Sequence, residues 1–195
     1  HATIGNLNNH IGAPLSLARL HGSSRFAVFE LGMNNTGEIA FLSNLIRPKV
    51  ALITNVHGVH LEQLKTERAI AGAKAEIFNG LSENGSVVLN QDNPWIDFLK
   101  SRAEKKGIKN IITFGEDKKS DVQLLEWQSG EGKSFVKIRL NNETHQYVLS
   151  EAGKHRALTS VGVLAVVHAL GLNIQHAAQC FKSISTPVGR GGQKH

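Results

Sequence analysis

At 195 residues, 41% hydrophobic and 19% charged, the chain can bury one good core; no run of about 18 apolar residues and no leader-like start points to a membrane span or to secretion. Its one cysteine, Cys180, excludes an internal disulfide or a cysteine-based zinc cluster and suits a reducing cytoplasm. The net charge of +6 is scattered, or sits in small groups such as Lys105-Lys106 and Lys118-Lys119, with no basic stripe. That pattern fits a solvated surface, or the steering of small polyphosphates, better than a nucleic-acid face.

In chain order, the first apolar run, Phe26 to Leu31, reads as a strand ending at Glu30-Leu31-Gly32, followed by a helix from about Gly37 to Ile46. Val50-Ala51-Leu52-Ile53-Thr54 is a second, buried strand bounded by Pro48. A polar loop with His57 and His60 leads to a long helix from Glu67 to Leu81. Ser86 to Asn90 is a third strand, Trp95 to Lys106 a helix, and Asn110 to Phe114 a fourth strand. Strands separated by helices of this length predict an α/β fold, a mostly parallel sheet flanked by helices. Residues 121–127, 134–140 and 144–149, joined by short polar turns, predict a small antiparallel β extension. Two helices follow, His155 to Leu170 with Gly171 as its stop, and Ile174 to Ser183.

Ligands of an open parallel sheet bind beyond the carboxyl ends of its strands. Glu30, the segment Thr54-Asn55 leading to His57 and His60, and Asn90, Asp92 and Asn93 all fall there. Gly32 would permit a tight turn that leaves the Glu30 carboxylate facing a cleft. The two histidines, spaced three apart, have no third His or Cys at ligand spacing to complete a zinc site. Lys74 lies about 40° from Ile70 on the helical wheel, inside the apolar stripe of Ile70, Ala73, Ile77 and Leu81. A lysine there either snorkels, pairs with Glu67 or Glu76, or is aimed at a charged site beneath its helix.

Taken together, four ordered segments resemble the signatures of the Mur ligases. They are Gly5-Asn6-Leu7-Asn8-Asn9-His10-Ile11-Gly12-Ala13-Pro14-Leu15, Glu30-Leu31-Gly32, Thr54-Asn55-Val56-His57-Gly58-Val59-His60-Leu61-Glu62, and Ala73-Lys74-Ala75-Glu76-Ile77-Phe78. The resemblance extends to Gly189-Arg190-Gly191. It implies the P-loop NTPase-like central domain of an ATP-dependent acid–amino-acid ligase of peptidoglycan precursor synthesis. Within the family it points to the branch joining D-alanyl-D-alanine to UDP-N-acetylmuramoyl-tripeptide, using ATP and Mg²⁺. The alternatives are a sister ligase adding the third amino acid, a folylpolyglutamate synthase-like enzyme and, from another class, a basic nucleic-acid-binding module.

Carried over residue by residue, the resemblance makes Glu30 and His60 ligands of Mg²⁺, and Lys74 a lysine that is carbamylated to support the ion. It assigns His155, Thr159 and Arg190 to the nucleotide, and Asn6, Asn8 and Asn9 to the UDP-sugar substrate and the phosphates. The chain departs from the family at Arg156 and Thr159, where asparagine is usual; a threonine hydroxyl cannot offer the paired amide edge that suits adenine. No G-x-x-x-x-G-K-[ST] loop occurs in the sequence. The expectation is therefore a central domain over 1–186, N-terminally truncated just after that loop, with 187–195 a linker to a further domain. A cytoplasmic location and a monomer are expected with it.

Overall fold

The computed structural model describes residues 1–3, 5, 7–57 and 64–184. Its elements run α1 (Gly12–Ala18), α2 (Glu38–Ile46), β1 (Val50–Ile53), α3 (Glu67–Ala75) and a 3₁₀ turn (Glu76–Gly80). They continue with β2 (Ser86–Asn90), α4 (Ile96–Lys105), β3 (Asn110–Gly115), β4 (Val122–Gly130), β5 (Lys133–Leu140) and β6 (Glu143–Leu149). The chain closes with α5 (Lys154–Ala169), α6 (Ile174–Cys180) and a second 3₁₀ turn (Phe181–Ser183).

The strands form one six-stranded sheet in sequence order, β1-β2-β3-β4-β5-β6. Helical connections separate β1, β2 and β3, β4 joins β3 in parallel, and β4-β5-β6 is the expected antiparallel meander. The strand patterns explain their places. All five residues of β2 are buried, the apolar centre Val87-Val88-Leu89 together with the polar ends Ser86 and Asn90, as in a strand covered on both faces. In β5 the burial alternates, with Ser134, Val136, Ile138 and Leu140 inward and Phe135 left 55% exposed. A register shift between Leu124 and Glu126 marks a bulge in β4.

By internal contacts the chain divides into two compact units, His1–Val87 with Pro94–Ile111, and Val88–Asn93 with Ile112 onward. In the first, Ile39, Leu42, Ile70, Ala71, Ala73, Phe78, Leu99 and Ala103 are buried. In the second, α5 lies on β4 and β5 through Ala157, Val161, Leu164 and Ala165, and α6 packs on β6 and α5. Ser160 Oγ donates to the Ala157 carbonyl at 2.7 Å, so the Tyr147 hydroxyl donates to Ser160 Oγ, also at 2.7 Å. Gly171, at φ +66°, follows the end of α5 and donates its amide to the His168 carbonyl, as its place in the sequence predicts.

Three sequence expectations are corrected. Phe26–Leu31 is not a strand of the sheet. It makes one parallel bridge, Val28 to Ala2, with Phe26 48% and Val28 66% exposed. Its partner among the described residues is the short segment His1–Thr3, through Thr3 N to Val28 O at 3.0 Å and Val28 N to His1 O at 2.9 Å. The helix expected over 67–81 is α-helical only to Ala75 and tightens to 3₁₀ geometry beyond it, and the 174–183 helix tightens likewise after Cys180. α1 has no counterpart among the predicted elements, because its seven residues contain a proline and bury only Gly12, Ala13 and Ser16.

Candidate functional site

Glu30 is exposed, and the chain's first residues fix its position. Its backbone N–H donates to Thr3 Oγ1 at 3.2 Å, and the Asn8 side-chain amide donates to Glu30 Oε1 at 2.9 Å. The Gly32 N–H donates to the Asn8 carbonyl at 2.8 Å. Gly32 is not among the residues with positive φ, so its place beside Glu30 does not depend on a left-handed backbone. What it supplies is room: a Cβ there would stand 3.0–3.1 Å from three side-chain atoms of Asn8. Asn9 turns to local work, its Oδ1 accepting from Ile11 N at 3.1 Å and Gly12 N at 2.8 Å at the start of α1. Asn6 lies outside the described residues.

Lys74 belongs to the same unit, in the last turn of α3. The helix starts because Thr66 Oγ1 accepts from Ala69 N at 3.1 Å, an N-cap, and it buries Ile70, Ala71, Ala73 and Ala75. Lys74 is half-buried beside that stripe, and among the described residues it has no ion pair. Burial lowers its pKa from the usual lysine value, because the ammonium is poorly solvated there. Pairing with Glu76, one of the alternatives open from sequence, does not occur. Both Glu76 oxygens accept from Gly37 N, at 2.7 and 2.9 Å, and Oε2 also accepts from Ala40 N at 3.2 Å. A carboxylate at the N-terminus of α2 satisfies otherwise unpaired amides and meets the positive end of the helix dipole. No local residue pattern announces this long-range brace.

His60 and Arg190 lie outside the described residues. His57, described and exposed, has Nε2 2.5 Å from Asn55 Nδ2.

The second unit carries His155 and Thr159, both exposed in the first turns of α5. That helix start is held on several sides. Gly153 N donates to Ser129 Oγ and Ser134 Oγ, both at 3.1 Å, and Lys154 Nζ meets Glu116 at 2.7 Å. The 115–117 loop is in turn clamped by Asp92, whose carboxylate accepts from Glu116 N at 2.7 Å and Asp117 N at 2.9 Å. Gly115, at φ +153°, is a glycine because a Cβ would stand 2.6–2.7 Å from that carboxylate. Arg156 Nε is 3.0 Å from Glu151 Oε2. The Thr159 hydroxyl donates to the His155 carbonyl at 2.8 Å, which leaves it only acceptor lone pairs for any ligand.

Among the described residues no group of three His, Cys, Asp or Glu gathers at metal-binding distance. The chemistry of the donors nonetheless fits a hard divalent cation. Glu30 offers a carboxylate oriented by an amide, and Lys74 is a half-buried amine with no counter-ion among the described residues, which a carbamate would turn into an oxygen donor.

Comparison with known proteins places this geometry in a class. A family model described as Mur ligase middle domain matches residues 1–167, and the chain belongs to that family. It is 32% identical over 190 residues to the UDP-N-acetylmuramoyl-tripeptide–D-alanyl-D-alanine ligase of Rickettsia prowazekii, covering 97% of this chain and 42% of that protein. A crystal structure of MurF from Acinetobacter baumannii superposes with a TM-score of 0.90 at 28% identity, over 97% of this chain and 41% of that one. The MurF ligase of Thermotoga maritima in complex with ADP gives a TM-score of 0.83 at 28% identity, over 97% and 43%. The chain thus spans about two fifths of the length of the relatives it matches.

Proposed function

We propose that the chain is the central domain of an ATP-dependent ligase that joins D-alanyl-D-alanine to UDP-N-acetylmuramoyl-tripeptide in the cytoplasm, acting as a monomer. Ligases of that name are what it resembles over nearly its whole length, and a relative of the same fold is named as an ADP complex. In this reading the substrate carboxylate attacks the γ-phosphate of ATP to give an acyl phosphate. The dipeptide amine then displaces phosphate through a tetrahedral intermediate. Carboxylate and triphosphate repel, so the barrier is largely electrostatic. Mg²⁺, when bound by Glu30, His60 and Lys74, supplies the positive charge that offsets this repulsion.

The observation that carries the reading is Lys74, half-buried with a lowered pKa and no ionic partner among the described residues. A lowered pKa enlarges the neutral fraction of the amine. The neutral Nζ can attack carbon dioxide, form an N–C bond and release one proton, leaving a carbamate anion. His155 and Thr159 at the start of α5, with Arg190, are assigned to the nucleotide; Arg190 would place an always-charged planar donor against phosphate or ribose. Asn6 and Asn9 are assigned to the substrate side.

In the full-length ligase, Lys74→Ala should abolish ligation, and millimolar short carboxylic acids should partly restore it by returning the lost oxygens. Undiminished turnover of the variant in a phosphate-release assay would refute the role of Lys74.

A further inference from the structure

We propose that Asn8 is a positioning residue for the Glu30 carboxylate, and that residue 32 is glycine in order to keep Asn8 in that place. The proposal rests on the reading of Glu30 as a cation ligand and replaces the assignment of Asn8 to the substrate. Asn8 is tied at two points. Its carbonyl accepts from Gly32 N at 2.8 Å, and its side-chain nitrogen donates to Glu30 Oε1 at 2.9 Å. These two bonds, with that of Glu30 N to Thr3 Oγ1, hold the segment around Glu30 against the chain's first residues without a regular sheet ladder.

An exposed glutamate has three side-chain torsions, and a ligand that must meet a cation in one geometry loses affinity for each rotamer left open. An amide N–H fixed on one carboxylate oxygen selects an orientation and directs the remaining lone pairs. Partners of this kind behind a metal ligand commonly contribute about 10–100-fold in affinity. Asparagine suits the position because its amide donates without carrying a charge that would compete with the cation. Gly32 completes the device. Any Cβ at 3.0–3.1 Å from the Asn8 side chain would push the amide by a few tenths of an ångström, enough to lengthen a 2.9 Å bond.

The test is a double-mutant cycle in the full-length protein with Asn8→Ala, Gly32→Ala and the two combined, using Mn²⁺ alone as the probe and following its binding by electron paramagnetic resonance. Asn8→Ala should weaken Mn²⁺ binding by about tenfold or more, in the range given above. Gly32→Ala should weaken it less, and the double variant should be no worse than Asn8→Ala. The KM for UDP-N-acetylmuramoyl-tripeptide should stay unchanged, which an asparagine in contact with substrate would not allow. Gly32→Ala tests the same contact with the side chain still present, so the proposal remains exposed to failure if Asn8→Ala folds poorly. A raised KM with unchanged Mn²⁺ affinity, or strictly additive effects, would overturn it. A Glu30→Gln control separates the two layers. If that variant keeps its Mn²⁺ affinity, the reading of Glu30 as a ligand falls and the proposal with it. If it loses affinity while Asn8→Ala does not, only the present proposal falls.

Discussion

Lys74 carries a charged head to the margin of a helix face formed by Ile70, Ala73 and Phe78, residues of at most 3% exposure. Its pKa is lowered by burial, and the sign of the consequence follows from proton counting. Below the folded-state pKa both states bind the proton, and the cost of burying the ammonium is present in full. As pH rises through the folded pKa towards the ordinary lysine value, the unfolded chain holds more protons than the folded one, and the cost is relieved. Lys74→Met should therefore raise Tm at pH 7 in carbon-dioxide-free buffer, with the gain shrinking as pH approaches 10. A pH-independent difference would mean that packing, not charge, sets the effect. The hydropathy pattern alone identified this residue as anomalous, since a cation inside an apolar stripe is legible from spacing. That Glu76 does not pair with it was not legible, because Glu76 is two residues away in sequence yet spends both its oxygens on α2.

At the scale of elements, α2 and the 3₁₀ turn after α3 behave as one packed pair. Glu76 caps the first amides of α2, Ser43 Oγ donates to the Ile77 carbonyl at 2.5 Å, and Gly80 N donates to Ser43 Oγ at 3.2 Å. Gly80 sits so close to α2 that a Cβ would overlap the backbone carbonyl of Ser43. Backbone cannot step aside as a side-chain tip can, so Gly80→Ala should cost at least the about 1–3 kcal/mol typical of overpacking. For a domain of this size that corresponds to a Tm loss of roughly 2–4 °C per kcal/mol, measurable by calorimetry. A Tm within a degree of the parent would show that the two elements can separate cheaply. The tightening from α to 3₁₀ at Glu76 belongs to the same pairing. Apolar periodicity predicts that a helix continues to Leu81, but it does not encode the change of hydrogen-bond pattern that lets Glu76 and Gly80 both reach α2.

At the scale of the molecule, the sequence lacks any G-x-x-x-x-G-K-[ST] loop to supply the backbone cradle and lysine for the β- and γ-phosphates. The 195-residue chain on its own should bind ATP no better than millimolar by titration calorimetry. Sub-micromolar binding would show that the start of α5 and its neighbours suffice for the nucleotide. Composition and periodicity determined the α/β class, the buried central strands, the antiparallel meander and the helix over 154–169. Each follows from local burial repeated at a period of 2 or 3.6 residues, which the order of residues records directly. The ordered motifs determined the family. Only the tertiary structure decided that Phe26–Leu31 makes an isolated bridge rather than a strand, that Gly32 serves by its missing Cβ, and that Asn8 grips Glu30 while Glu76 turns to α2 instead of Lys74. Those outcomes depend on which distant polar atom reaches a group first, a competition settled in three dimensions between residues 22 to 39 positions apart.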